Sequence, residues 1–211
     1  MYDAKERRFI MEQIINRKTW EYSKVGEVIQ TLLIVIGALL VPAVVPQILK
    51  LIFGAESAIA SNSQVIVGTI VNTALIIAGL NLKGWGRILA IATLPSISAV
   101  SSGYIFGSLT KVTVFMIPGI WLGNLAIMLV MKALYANKKA NYIVSAFLAI
   151  AIKVAFIFGC LSIWMSLSVL PAAGKVAETL KATMGPTQLI TATMGAIISY
   201  FIMKLSTSKE K

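Results

Sequence analysis

Histidine is absent from this chain, and cysteine occurs once, as Cys160. A zinc site, an iron–sulfur cluster and a structural disulfide each need more His or Cys residues than the chain supplies. The sequence also lacks the Gly-x-x-x-x-Gly-Lys-Ser/Thr loop that cradles nucleotide phosphates, so any ATP hydrolysis would come from another subunit. We therefore expect no metal site and no cofactor in this chain.

Carboxylates are scarce: eight Asp and Glu residues stand against 19 Lys and Arg, which gives a net charge of +11. Because the only aspartate is Asp3, neither a Ser-His pair nor an aspartate dyad can be assembled, and we expect no enzymatic activity. A Ser-Lys arrangement with Lys153 is the one formal alternative, which a serine-reactive probe would detect. The cations are concentrated in the tails and in alternate loops, which indicates membrane orientation and not a nucleic-acid surface.

Apolar residues dominate what remains. They make up 58% of the chain, and its mean hydropathy of +0.86 is far above that of soluble domains. The sequence predicts an all-α membrane protein with a basic amphipathic segment at 1–24, a transmembrane domain at 25–205 and a polar tail at 206–211. Six spans are near the roughly 20 residues that cross a bilayer. They run from about Val25 to Leu49, Val65 to Leu80, Ile88 to Phe106, Val112 to Leu134, Tyr142 to Val169 and Gln188 to Met203.

The basic loops predict how these spans are oriented. The N-terminal tail, the Lys83/Arg87 loop, the loop with Lys132, Lys138 and Lys139, and the C-terminus share one side, which the positive-inside rule makes cytoplasmic. Both termini then lie on the cytoplasmic side, and we expect the protein in the plasma membrane of a bacterium or archaeon. We expect a short N-terminal helix, with Ile10 and Ile14 on its apolar stripe, to lie in the cytoplasmic interface. A solvated basic tail is the alternative.

Lys153 is the most informative residue of the chain. In a helix that begins at Tyr142 it lies roughly 16 Å along the axis, close to the bilayer midplane. An ionisable group at that depth indicates a functional site when a partner for it can be named. All the carboxylates lie in tails, loops or helix ends, so none is at this depth. Lys153 therefore snorkels to an interface, stays neutral, or pairs with an anionic ligand.

Other polar residues fall at similar depth. Asn72, Ser96 and Asn124 lie mid-way along the second, third and fourth spans. If they share one face of the bundle with Lys153, the four residues form a polar layer that could hold a small molecule by hydrogen bonds and one positive charge. The asparagines could instead only bridge helices, and Ser96 could satisfy backbone groups freed by Pro95. At the outward end, the start of the sixth span offers Gln188 and free backbone N–H groups, and Tyr104 ends the third span.

Two stretches of the chain resemble the substrate-binding S-components of energy-coupling factor transporters. They are Met116–Asn124 and the final helix from Met184 to Ala192, which contains Thr191. The resemblance covers Val25 to Met203 and implies six spans and an outward-facing site for a vitamin or similar micronutrient. It also implies a transmembrane T-component and separate ATPase subunits as partners. The Ala-x-x-x-Ala pattern through which S-components dock occurs here as Ala74 and Ala78, in the second span and not the first.

Together these features predict the solute-binding subunit of a micronutrient uptake transporter, with an anionic small molecule as its ligand. The substrate-binding residues would be Lys153, Asn124, Asn72, Gln188, Ser96, Thr191 and Tyr104. A stand-alone channel or oligomeric transporter is the alternative function. It would need a continuous polar path through the bilayer, and flux into liposomes that contain the purified chain alone would favour it.

Overall fold

The fold is helical throughout the part of the chain that the structure, a computed structural model, describes: residues 4–16, 18, 23–170 and 174–207. No strand occurs in these ranges. Trp20 and residues 208–211, which belong to the two predicted terminal segments, lie outside them. The helices are α1 Ala4–Asn16, α2 Lys24–Phe53, α3 Ala58–Ser61, α4 Ser63–Asn81, α5 Trp85–Ser102, α6 Thr110–Thr113, α7 Ile117–Met131, α8 Tyr142–Ser166, α9 Gly174–Met184 and α10 Pro186–Thr207.

Within the described ranges, five helical segments are long and apolar enough to cross a membrane, as expected for a membrane protein. The third of the six spans predicted from the sequence corresponds to α5, which is not among these five. With 18 residues that include Arg87, Pro95 and four serines, α5 is shorter and more polar than any of the five segments that meet this criterion. The five segments are Lys24–Phe53, Ser63–Asn81, Gly107–Asn137, Tyr142–Ser166 and Gly174–Leu205.

The long helices form one bundle with α4 and α7 at its centre. The most extensive contacts join α4 to α10, α7 to α8, and α2 to α5, and α4 and α7 also pack against each other. Neither α4 and α10 nor α2 and α5 are neighbours in sequence. Glycines allow two of the contacting pairs to approach closely. A Cβ atom at Gly195 of α10 would lie 2.7 Å from Asn72 Cβ, and one at Gly123 of α7 would lie 2.7 Å from Ile157 Cγ1.

Lys132 joins the ends of α4 and α7. The loop charge predicted at this position is instead fully buried, because α7 continues as a π-helix over Lys132–Asn137. Its Nζ donates hydrogen bonds to Gly79 O at 3.0 Å and to Leu82 O at 2.7 Å, which are carbonyls of the last turn and cap of α4. The negative end of the α4 macrodipole stabilises the ammonium there, so Lys132 acts as a C-terminal cap.

Replacing Lys132 with methionine is expected to lower the free energy of unfolding by about 2 kcal/mol, because two buried carbonyls lose their donor. Unfolding in mixed micelles, followed by circular dichroism, measures this change. Lys138→Met is the matched control, since Lys138 is exposed in the following turn. Equal stability of the two variants would contradict the capping role.

The N-terminal helix contacts the same end of the bundle. Ile15 of α1 is buried in the main core, and α1 packs against the π-helical segment. Ile10 is exposed, so Ile15 is the residue that anchors α1 to the bundle. Nearby, Lys18 Nζ donates to Glu27 Oε1 at 2.6 Å, and Lys83 and Arg87 lie within 4 Å of the same carboxylate. These ion pairs place the beginnings of α2 and α5 at one end of the bundle.

Candidate functional site

Lys153 lies inside the bundle, on the face of α8 that packs against α7. Its side chain is 2% exposed. Nζ donates to Asn72 Oδ1 of α4 at 2.5 Å and to Asn124 Oδ1 of α7 at 2.8 Å. Lys153 forms no ion pair with a carboxylate of the described residues. Two neutral amide oxygens therefore accept hydrogen bonds from the buried Lys153 side chain, and neither would neutralise a charge on it.

The two asparagines are themselves held by other helices. Because a lysine ammonium only donates, both amides must turn their oxygens toward it, which leaves the Nδ2 groups free to donate elsewhere. Asn72 Nδ2 donates to Gly68 O at 2.8 Å and to Thr191 Oγ1 of α10 at 3.2 Å. Asn124 Nδ2 donates to Ala92 O of α5 at 2.9 Å. A single network thus joins α4, α5, α7, α8 and α10.

Close backbone approach brings α10 into this network. A Cβ atom at Gly68 of α4 would lie 2.9 Å from Thr191 Cγ2, and one at Gly195 would lie 2.9 Å from Thr73 N. A larger residue at either position would force the helices apart. Gly68 and Gly195 therefore set the distance between Asn72 and Thr191.

Six of the seven predicted site residues line one cavity, which we call the inner cavity. They are Asn72, Ser96, Asn124, Lys153, Gln188 and Thr191. Its volume is about 70 Å³, enough for a few water molecules or a small anionic group. Ser96 Oγ is already engaged, because it donates to Thr93 O and accepts from Trp121 Nε1 at 2.7 Å. Gln188 Nε2 lies 3.5 Å from Thr183 O, so its hydrogen bond is long.

Tyr104 lies in a different cavity, which we call the vestibule. The vestibule has a volume of about 550 Å³ and is lined by residues that include Lys50, Ser63, Tyr104, Ser108, Lys175 and Thr179. Tyr104 is 44% exposed, and Lys50 Nζ lies 5.9 Å from the centre of its ring. Ile105 and Phe106 line both cavities and form the wall between them. Tyr104 therefore does not join the polar layer around Lys153.

Protein-family models, curated proteins and solved structures offer no match to this chain. The chemistry of the site therefore follows from its geometry alone.

Gln64 is a site residue that the sequence did not predict. It begins α4 two turns before Asn72, and it lines the inner cavity. Its Nε2 is buried and has no hydrogen-bond partner in the described protein. The second span is predicted to begin at Val65, which places Gln64 in a loop. The spacing of Gln64, Gly68 and Asn72 by four residues is the signal that puts all three on one helix face.

The inner cavity is suited to a hydrogen-bond acceptor. Lys153 has three donor protons and uses two for the asparagines, and Gln64 Nε2 is a further donor. The Asn72 and Asn124 side-chain oxygens, by contrast, already accept hydrogen bonds from Lys153. Donors that face no carboxylate in a buried cavity favour a small anion.

Gln64→Leu is expected to weaken anion binding about 10-fold, which corresponds to the loss of roughly one neutral hydrogen bond. Isothermal titration with any anion that mass spectrometry finds released from the wild-type protein measures the change. Gln47→Leu is the matched control, because Gln47 on α2 is exposed and its Nε2 donates to Ala43 O of its own helix. Unchanged affinity in Gln64→Leu would remove this residue from the site.

Proposed function

We propose that this chain is the solute-binding subunit of an uptake transporter for a small anionic solute. The observation that carries the proposal is Lys153, a buried cation that lines a cavity and has no carboxylate partner among the described residues. A free ammonium inside a membrane protein costs several kcal/mol, and a bound anion would offset that cost. In this proposal the anion accepts hydrogen bonds from Lys153 and Gln64.

The proposed topology has six spans, with both termini in the cytoplasm and α1 in the cytoplasmic interface. Contacts at one end of the bundle support α5 as the extra span. Arg87 at the start of α5 approaches Glu27 at the start of α2, and Lys132 after α7 caps the end of α4. The end of α7 and the beginning of α5 are then on the same side of the membrane. Because α7 itself crosses the membrane, it begins on the opposite side, so α5 must cross to reach it. The basic loops at this end make it the cytoplasmic one.

In this proposal the chain functions with partners in the plasma membrane. It encodes no nucleotide-binding loop, so the ATP hydrolysis that drives uptake in this proposal takes place on separate ATPase subunits. The sequence resemblance to the S-components of energy-coupling factor transporters supports a T-component as the membrane partner. The inner cavity of about 70 Å³ is small for a whole vitamin, so only the anionic group of such a solute would fit beside Lys153.

Mass spectrometry of small molecules released from the protein tests the proposal. We expect wild-type protein, purified in mild detergent, to release one anionic compound in near-stoichiometric amount, and Lys153→Met protein to release none. Equal amounts from both proteins would contradict the site. Flux of the anion into liposomes that contain only this chain would contradict a binding subunit and favour a stand-alone transporter.

A further inference from the structure

The vestibule has the size and the charge of a binding site in its own right. At about 550 Å³ it falls in the range of small-molecule sites, whereas the inner cavity does not. Lys50, at the end of α2, and Lys175, in the first turn of α9, are its two charged residues, and no carboxylate lines it. Hydroxyl groups from Ser61, Ser63, Ser108 and Thr179 also line it.

The two lysines are available to a ligand. Neither Lys50 nor Lys175 forms an ion pair with a carboxylate of the described residues. Lys50 instead lies over the ring of Tyr104, at the distance of a cation–π contact. Two like charges on the wall of one concave cavity raise the local concentration of anions.

The vestibule adjoins the inner cavity. Ile105 and Phe106 line both, and the consecutive residues Ser63 and Gln64 at the start of α4 line the vestibule and the inner cavity, respectively. The segment that carries Ile105 and Phe106 lies between Gly103 and Gly107, both of which have positive φ values, of 70° and 51°. The wall between the cavities is therefore two apolar side chains on one short turn.

We infer that the vestibule is a second anion-binding site, which holds a small organic anion between Lys50 and Lys175 before its charged group passes Ile105 and Phe106 to reach Lys153. The onward step rests on the proposed function, whereas binding in the vestibule does not. The ligand chemistry is a carboxylate or phosphate, since hydroxyl and ammonium donors supply the hydrogen bonds and none of the described residues that line the vestibule is acidic.

The test uses a cysteine in the vestibule and two reagents of matched size. Ser108→Cys in a Cys160→Ala background is alkylated with iodoacetate, which carries a carboxylate, or with neutral iodoacetamide. Both reagents react with the thiolate form of the cysteine. A substitution that changes the fraction of thiolate therefore changes both alkylation rates equally and leaves their ratio unchanged. We expect the iodoacetate rate to saturate with concentration, because the anion binds before it reacts, and the iodoacetamide rate to rise linearly.

Substitution of both vestibule lysines decides between a site and an adventitious reaction. Lys50→Gln with Lys175→Gln should make the iodoacetate rate linear and lower the rate ratio about 10-fold. Lys111→Gln is the matched control and should leave saturation intact, since Lys111 does not line the vestibule. A linear iodoacetate rate in the parent protein, or a ratio unchanged by the double substitution, would overturn the inference.

The outcome is separable from that of the proposed function. Lys153→Met in the same background should leave saturation in the vestibule unchanged, because Lys153 lines only the inner cavity. Saturation without any anion released from the wild-type protein would keep the vestibule site and reject the role of Lys153. A linear rate with a released anion would reject the vestibule and keep the inner site.

Discussion

Lys153→Met is expected to weaken binding of the copurifying anion by on the order of 100-fold or more, the loss that follows when one member of a buried charge pair is removed. Methionine keeps most of the volume of the lysine side chain, so the cavity retains its shape. The affinity is measured by titration in detergent, with the solute that wild-type protein releases.

The same substitution should change the free energy of unfolding by less than about 2 kcal/mol, because two effects oppose each other. Asn72 Oδ1 and Asn124 Oδ1 lose their donor, which costs about 1–3 kcal/mol each. Removing an uncompensated buried charge recovers a similar amount. A loss of binding could then not be ascribed to unfolding.

Lys132→Met is the matched control for Lys153→Met, since Lys132 is the other fully buried lysine among the described residues. Its ammonium is held by helix-end carbonyls and lines neither cavity. This control should lose stability and retain affinity in the folded fraction. If Lys153→Met retained full affinity, Lys153 would instead be a structural link between helices.

Gly195→Ala is expected to destabilise the bundle by about 2–3 kcal/mol and to abolish anion binding. The added methyl group would lie 2.7 Å from Asn72 Cβ and 2.9 Å from Thr73 N, and backbone atoms cannot move aside as a flexible side chain can. The helices α4 and α10 must separate, which pulls Thr191 away from Asn72 and frees the amide that holds Lys153.

Gly159→Ala in α8 is the matched control for Gly195→Ala. A Cβ atom at Gly159 has no neighbour within 4 Å, so the control should be as stable as the wild type. Thermal unfolding in detergent and titration of the copurifying anion measure both effects. Similar behaviour of the two variants would show that α4 and α10 tolerate a wider spacing than their contact indicates.

Residue counting along the apolar spans is enough to predict that the central polar residues share one depth. Asn72, Asn124 and Lys153 each lie near the middle of their own span, and depth depends only on rise per residue. Their convergence on one point could not be predicted. The helices are apolar on all sides, so the sequence does not show which face is inward or that α4 packs on α10 and not chiefly on α2.

Helix ends limit the rest of the prediction. Gln64 is missing from the predicted site because the predicted second span starts at Val65, the residue after it. Lys132 is predicted as a loop charge because the π-helical continuation of α7 has no sequence signal. Tyr104 is predicted to join the binding site, but the turn that follows α5 directs it to the vestibule.

The glycine contacts described above also determine which parts of the bundle can move independently. Where a helix backbone lies directly against its neighbour, as α10 does on α4 at Gly195 and α7 does on α8 at Gly123, the two helices behave as one stiff body. The resulting bodies, α4–α10 and α7–α8, are joined at one end by Lys132 and by the close approach of Gly79 to the Met128 backbone, and mid-way by Lys153. A solute that draws the Lys153 ammonium away from Asn72 would break only the mid-way hydrogen bond between the two bodies. The bodies would then be free to part at the vestibule end while the Lys132 end stays closed.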